Sequence, residues 1–226
     1  MSLALESPTL KSPALESLAL ESLALERPAA EALAPTGQRA GNATAWAFQA
    51  LPGPLLIEVR RYADARGAFA ETWSQRDFAA LGVEDGFVQD NWSRSDRVGT
   101  VRGLHFQRPP HAQAKLVRVL RGAILDVAVD LRRASPTFGR HVAVELTEGD
   151  GRMLYVPVGF GHGFCTLRPQ TEIAYKVTDL YAPECDGGIA WDDPDLAIGW
   201  PVMPAEAVLS EKDQRLPRLV AVPHLF

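Results

Sequence analysis

From Pro54 onward the chain is cut into short apolar runs by glycine and proline: "PLLIEVR", "GAFAETW", "GFVQDNW", "KLVRVLR", "AILDVAVD", "GRHVAVEL", "RMLYV", "HGFCTL" and "EIAYKVT". Runs this short, rich in Val, Ile, Phe and Tyr, suit strands better than helices, and many of them at close spacing specify a sandwich or barrel. The body is therefore expected to be all-β, with few helices. One is marked by Ser74 and Asp77, a capping-box-like start, with "RDFAAL" for the turns and Gly82 for the left-handed C-terminal position. A second short helix is expected near "PAEAVLSEKD", after the chain turns irregular at Trp200.

The N-terminus has a different texture. From Leu3 it divides into fives, LALES, PTLKS, PALES, LALES and LALER. Five helical steps advance the leucines by about 140°, and five strand steps flip their face, so no fixed apolar side results. Residues 1–50 are read as a low-complexity extension, frayed helix or disordered, closing in a Pro/Gly/Ala-rich stretch. Residues 51–226 are read as one domain.

Composition narrows the function. With 226 residues and 46% hydrophobic content there is material for one sizeable core. A net charge of -5 with no Lys/Arg block argues against nucleic acid as the main ligand. Local basic residues can still hold one small anion. Two cysteines, Cys165 and Cys185, make neither a metal pair nor a disulfide framework, which fits a reducing cytoplasm. No apolar run approaches the ~20 residues that cross a bilayer, and the start lacks signal-peptide character. A soluble, cytoplasmic protein with no membrane partner is expected.

Two of the five histidines sit in suggestive frames. Gly99, then His105, and later Gly122 trace part of the first motif of the cupins; Gly151, Pro157, Gly159 and His162 trace the second. The resemblance implies a double-stranded β-helix, or jelly roll. It fails at the metal, because Gln107 stands where a second histidine belongs and the downstream glutamate is missing. Two histidines fall short of the roughly three protein ligands a catalytic metal needs, so no metal is expected. His111 and His224, beside prolines, read as loop residues.

Without a metal, His105 and Lys115 describe enolisation: an imidazole removes a proton next to a carbonyl while an ammonium receives the charge developing on oxygen. Inverting the stereocentre needs an acid on the opposite face, and Tyr175 and Tyr181 in "IAYKVTDLY" are candidates. The plainer readings are a barrel tyrosine with a satisfied hydroxyl and a snorkelling strand-end lysine. Strand parity adds a condition. Arg102 and His105 face opposite ways in a regular strand, so they share a pocket only if Gly103 marks a bulge or bend.

Several ordered motifs, "RGLHFQ", "AKLVRVLRG", "DVAVDLRRASPTFG", "VPVGFGHGF", "AYKVTDLYAP" and "LSEKD", closely resemble the dTDP-4-dehydrorhamnose 3,5-epimerase family from about Leu55 to Pro217. The resemblance implies a cupin-like jelly roll acting as a homodimer, without metal or other cofactor, on a dTDP-4-keto-6-deoxyhexose. Its ketone at carbon 4 acidifies the protons on carbons 3 and 5. By motif, His105 is then the proton-abstracting base, Asp213 its orienting carboxylate, Lys115 the oxyanion partner and Tyr175 the opposite-face acid. Arg66 and Glu71 in "ARGAFAE", with Gln89, Asp90 and Asn91 in "VQDN", fall where the family grips the nucleotide. Arg102 corresponds to the diphosphate-binding arginine, His162 to a sugar-pocket ligand and Tyr181 to the ring stacked on thymine. Lys212 completes "EKD", and Asp186 replaces an expected glutamate, one methylene shorter.

Three other readings remain at this level. Some relatives epimerise only carbon 3 or only carbon 5 in natural-product pathways. A non-catalytic nucleotide-sugar binding module would keep Arg102 and Tyr181 but would not need a base with its carboxylate. A metal-dependent cupin would need the ligands that are missing.

Overall fold

The computed structural model describes residues 33–34, 36–222 and 226; the five-residue repeat and His224 lie outside them. The described residues form strands β1 (Gln38–Ala40), β2 (Ala43–Ala47), β3 (Leu55–Val59), β4 (Tyr62–Asp64), β5 (Gly67–Phe69), β6 (Gln89–Ser95) and β7 (Val101–Gln107). They continue with β8 (Lys115–Arg121), β9 (Ala123–Asp130), β10 (His141–Thr147), β11 (Arg152–Val156), β12 (Phe160–Thr166), β13 (Thr171–Val177) and β14 (Asp186–Gly188). One short helix, α1 (Gln75–Ala79), is capped by the Ser74 side chain, which accepts the Asp77 N–H, and the chain leaves it through Gly82 at φ +91°. Short 3-10 turns occupy Pro183–Cys185, Asp213–Arg215 and Leu219–Ala221.

The strands build a jelly-roll sandwich. A seven-stranded sheet runs β1-β2-β3-β11-β8-β13-β6 and faces a five-stranded sheet, β10-β9-β12-β7-β14, while β4 and β5 form a separate hairpin. Apolar side chains pack between the sheets and against parts of their outer faces, and strand alternation sorts them between the two. On β8, Val117 and Val119 point between the sheets, where they meet Ile124 and Ala128 of β9 and Phe160 and Phe164 of β12. Leu116 points the other way, toward Phe78 of α1. On β7, Leu104 and Phe106 point out of the sandwich onto Ile189 and Leu196 of the later chain. That leaves the residue between them, His105, directed inward.

Two expectations change. Ordered structure begins ahead of residue 50: β1 and β2 extend the large sheet, and Ala43 and Ala45 are buried with Ile57 and Val59. Small residues at alternate positions of "ATAWA" let a strand lie flat over that face, a period-2 signal easily read as loop composition. The stretch "PAEAVLSEKD" forms no α-helix. Its Val208 joins the backbone of Gly99 and Val101, and Ala207 and Leu209 pack against the buried Val101, Cys165 and Trp191. Sheet pairing and burial override a weak helical propensity.

A chain lacking residues 1–47 loses both added strands and uncovers Ile57 and Val59. Its melting temperature is expected to fall by at least about 5 °C, since for a chain of this size each 1 kcal/mol corresponds to roughly 2–4 °C. A chain lacking only residues 1–32 is expected to melt with the full-length protein; scanning calorimetry of the three separates these outcomes.

Candidate active site

The inward positions change character at one end of the sandwich. On the large sheet, Lys115 continues the inward row of Val117 and Val119, and Tyr175 continues that of Ile173. From the facing sheet come His105 on β7, His162 on β12 between the inward Phe160 and Phe164, and Asp126 on β9 between Ile124 and Ala128. His105 and His162 are register partners across β7 and β12. With Arg102, Lys212 and Asp213, they line a cavity of about 450 Å³, from which Asp126 is set back. A second cavity of about 200 Å³ shares His105, Lys115, Tyr175 and Lys212 and reaches Gln89, Asn91, Tyr181 and Asp186. The two make one cleft between the sheets.

A bulge brings Arg102 and His105 to the same side. Between β12 residues His162 and Phe164, two steps apart, β7 spends three steps, from His105 to Arg102. The extra residue shifts parity, and Gly103 carries it at φ +122°. Any Cβ there would lie 2.6 Å from Gly163 Cα and 2.7 Å from the His162 carbonyl, so strand contact also demands glycine. The Gly103 backbone hydrogen-bonds to Asp213, tying the bulge to the site.

His105 Nε2 lies 2.5 Å from Asp213 Oδ1, and the carboxylate is 4% exposed. Burial pulls the Asp213 carboxyl upward, but the hydrogen bond and charge of His105, with bonds to Ser210 and Gly103, outweigh it and hold the group below its ordinary range. A carboxylate accepting Nε2–H fixes the tautomer and leaves Nδ1 as the basic nitrogen. Burial pushes Lys115 down to about 8, with Asp126 and Asp186 acting the other way. Burial also raises the Tyr175 phenol, opposed by Arg102, so it remains a protonated O–H donor at neutral pH. His162 Nε2 is 2.8 Å from Asp126 Oδ1, and burial, reinforced by Lys115 and His105, keeps the imidazole below its usual range.

At the rim, the Asp186 carboxylate takes the Lys212 ammonium and the Tyr181 hydroxyl at 3.3 Å, and Tyr181 is 57% exposed. The shorter acid thus binds within the protein. Gln89 accepts the Tyr181 N–H and donates to Asn91. Arg102 is held by Ser95 Oγ at 3.2 Å and the Arg94 carbonyl at 3.1 Å.

Eleven of the fourteen residues singled out in the sequence therefore line the cleft: His105, Asp213, Tyr175, Lys115, Gln89, Asn91, Arg102, His162, Tyr181, Asp186 and Lys212. Asp90 does not. Strand alternation turns its side chain away from those of Gln89 and Asn91, and it pairs with Lys176 at 2.8 Å. Arg66 and Glu71 are also outside this chain's cleft; Arg66 is exposed and bound to Asp64 across the β4–β5 turn at 2.6 Å. Two useful residues escaped the sequence reading. Asp126 was hidden in the apolar-looking "AILDVAVD", though a charge at an inward position was its signal. Ser210, whose Oγ accepts the Asp213 N–H at 3.1 Å, gave no signal of its own. Among the described residues no cluster of three or more His, Cys, Asp or Glu is arranged to hold a metal ion.

A base on one sheet, backed by a carboxylate from a following turn and facing a lysine and a buried tyrosine on the other sheet, defines a jelly-roll enzyme for proton transfer at carbon beside a carbonyl. The dTDP-4-dehydrorhamnose 3,5-epimerase family model matches residues 49–221. A dTDP-4-dehydrorhamnose 3,5-epimerase from Sinorhizobium fredii is 51% identical over 171 residues, covering 76% of this chain and 87% of that protein. Among solved structures, the Bacillus anthracis enzyme with TDP and PPi bound is 48% identical with a TM-score of 0.71, covering 73% of this chain and 93% of its own. A Legionella pneumophila dTDP-6-deoxy-D-glucose-3,5-epimerase in complex with dTDP-4-keto-L-rhamnose is 42% identical, with a TM-score of 0.75 and coverage of 80% and 94%. This chain belongs to the dTDP-4-dehydrorhamnose 3,5-epimerase family.

Gly103→Ala is expected to cut kcat/KM by more than about 100-fold, because relieving the overlap displaces β7 and an ångström-scale misplacement of a catalytic group has that cost. Steady-state kinetics on folded variant check this. With Lys115 needed as an ammonium, wild-type activity is expected to fall as pH rises through about 8, well below the 10.5 of an ordinary lysine. A pH–rate profile that stays flat to pH 10 contradicts that role.

Proposed function

We infer that this chain epimerises a dTDP-4-keto-6-deoxyhexose at carbons 3 and 5, as an isomerase of dTDP-rhamnose-type deoxysugar biosynthesis, using its own side chains and no cofactor. One observation carries the reading: His105 and Tyr175 line the same cavity from opposite sheets. A sugar between them presents one face of its ring to a base and the other to an acid, which is what inversion requires.

In this mechanism His105 Nδ1 takes the proton from carbon 3 or carbon 5, and the C–H electron pair moves into the ketone to form an enolate. Lys115 stabilises the oxyanion at carbon 4; a donor of this kind is worth about 10²–10³ in rate. The Tyr175 hydroxyl protonates the carbon from the other side. The imidazolium, balanced by Asp213, then releases its proton to solvent while the phenolate regains one, and the site is reset for the second carbon. Apolar walls at Phe164 and Ile173 exclude water and strengthen each electrostatic contact.

The nucleotide is assigned to the outer cleft; that a nucleotide binds at all is supported by the TDP of the Bacillus relative and the dTDP-4-keto-L-rhamnose of the Legionella relative. Arg102 holds the diphosphate, Tyr181 stacks on the thymine, and Gln89 and Asn91 bind nearby. His162 and Lys212 contact the sugar side. The enzyme is read as a homodimer: Arg66 and Glu71 are exposed and outside their own cleft, so nucleotide contacts from them would have to reach a second copy. A cytoplasmic location is supported by two buried free thiols, Cys165 and Cys185.

The test is proton NMR of the 4-keto sugar incubated with enzyme in deuterium oxide. Deuterium at both carbon 3 and carbon 5 with inversion at each is expected; label at one carbon restricts the reaction to that centre, and label at neither refutes enzymatic enolisation. His105→Ala is expected to abolish exchange at both carbons. Tyr175→Phe is expected to slow inversion by about 100-fold while exchange falls much less, since a base alone returns the proton to the face it left. Equal loss of both rules out that division of roles.

A further inference from the structure

Asp126 is a fully buried acid on the inward row of β9 behind the cleft, and the chemistry above does not use it. It is 0% exposed, and one oxygen, Oδ1, binds His162 Nε2 at 2.8 Å. The other, Oδ2, is buried and has no hydrogen-bond partner among the described residues. A buried carboxylate is costly unless it is compensated by charge or donors. Its position on β9, with Ile124 and Ala128 in the same inward row, places it behind both His162 and Lys115 rather than at the substrate.

We propose that Asp126 is a positioning residue for both groups in front of it, fixing the Nε2–H tautomer of His162 and keeping Lys115 an ammonium within an apolar wall. The inference rests on the reading of Lys115 as the oxyanion partner. A second cation at His162 would stand beside Lys115 and His105 in a desolvated cleft, where like charges repel strongly. Burial and these neighbours keep His162 neutral against the pull of Asp126, so the Asp126 charge is not spent on an imidazolium and is left to act on Lys115. The titratable and charged groups around Lys115 are Arg102 and His105 from β7, Asp126 from β9, His162 from β12, Tyr175 from β13, Asp186 from β14, and Lys212 and Asp213. Of the three acids, Asp213 is paired with His105, and Asp186 is engaged at the rim by Lys212 and Tyr181. Asp126 therefore supplies the negative charge on the inner side. The neutral His162, with its proton committed to Asp126, offers Nδ1 as an acceptor for a sugar hydroxyl.

Asp126→Asn separates charge from shape, because the amide oxygen still accepts Nε2–H. Removing the negative charge lowers the affinity of Lys115 for its proton, so the basic limb of the pH–rate profile is expected to move down by about one pH unit. The loss in kcat then depends on pH: about tenfold at pH 8.5 and less than twofold at pH 6. A merely structural role gives the same loss at every pH, and that result, or no loss at all, overturns the proposal. Should the variant fold poorly, nitrogen-15 NMR of histidine- and lysine-labelled wild-type protein decides without turnover. A His162 that stays neutral and Nε2-protonated from pH 6 to 9, with Lys115 titrating near 8, supports the role; a cationic His162 at pH 7 or an Nδ1–H tautomer excludes it. Because this readout needs no substrate, a failed epimerisation assay and a failed role for Asp126 remain distinguishable.

Discussion

The close contact of β7 and β12 is the constraint on which the site depends. Gly103 and Gly163 meet backbone to backbone, and a Cβ on either would overlap the other strand. That contact admits one extra residue into β7, and the extra residue reverses the facing of everything before it. Without it, Arg102 would point out of the cleft when His105 points in. The same irregularity supplies a hydrogen bond to Asp213. Shape and charge at the catalytic dyad thus come from one local departure from regular pairing.

The two sheets divide the work. One brings His105 and His162, each with a buried carboxylate behind it; the other brings Lys115 and Tyr175, displaced from their ordinary ranges by burial. Groups on one strand can approach only one face of a ligand, so a reaction that must remove and return a proton on opposite faces suits a sandwich open at one end. The outer faces matter too. Leu104 and Phe106 are pinned under Ile189 and Leu196, and this holds the strand on which His105 turns inward.

Much of this was legible in the sequence, for reasons that differ by residue. The nine apolar runs announced an all-β body because period and length are local properties. His105 and Lys115 stood out as ionisable groups in strands built for a core, and parity made Gly103 the condition for joining Arg102 to them. Asp213 was found only through family resemblance, because it reaches His105 across 108 residues and no local pattern encodes such a distance. Asp90 shows the limit of that transfer, since a motif carries residue identity but alternation decides which side chains share a face. Strands β1 and β2 were missed because small residues disguised their alternation, and Asp126 because its neighbours made the strand look uniformly apolar.

The bond between His105 and Asp213 also has a consequence for how the protein is made. A ribosome adding about 5–20 residues per second completes the base some 5–20 s before the carboxylate that orients it. During that interval a nascent chain can pair its early strands, yet its imidazole has neither a fixed tautomer nor a counter-ion. The dyad is therefore assembled only when the chain folds back across the bulge.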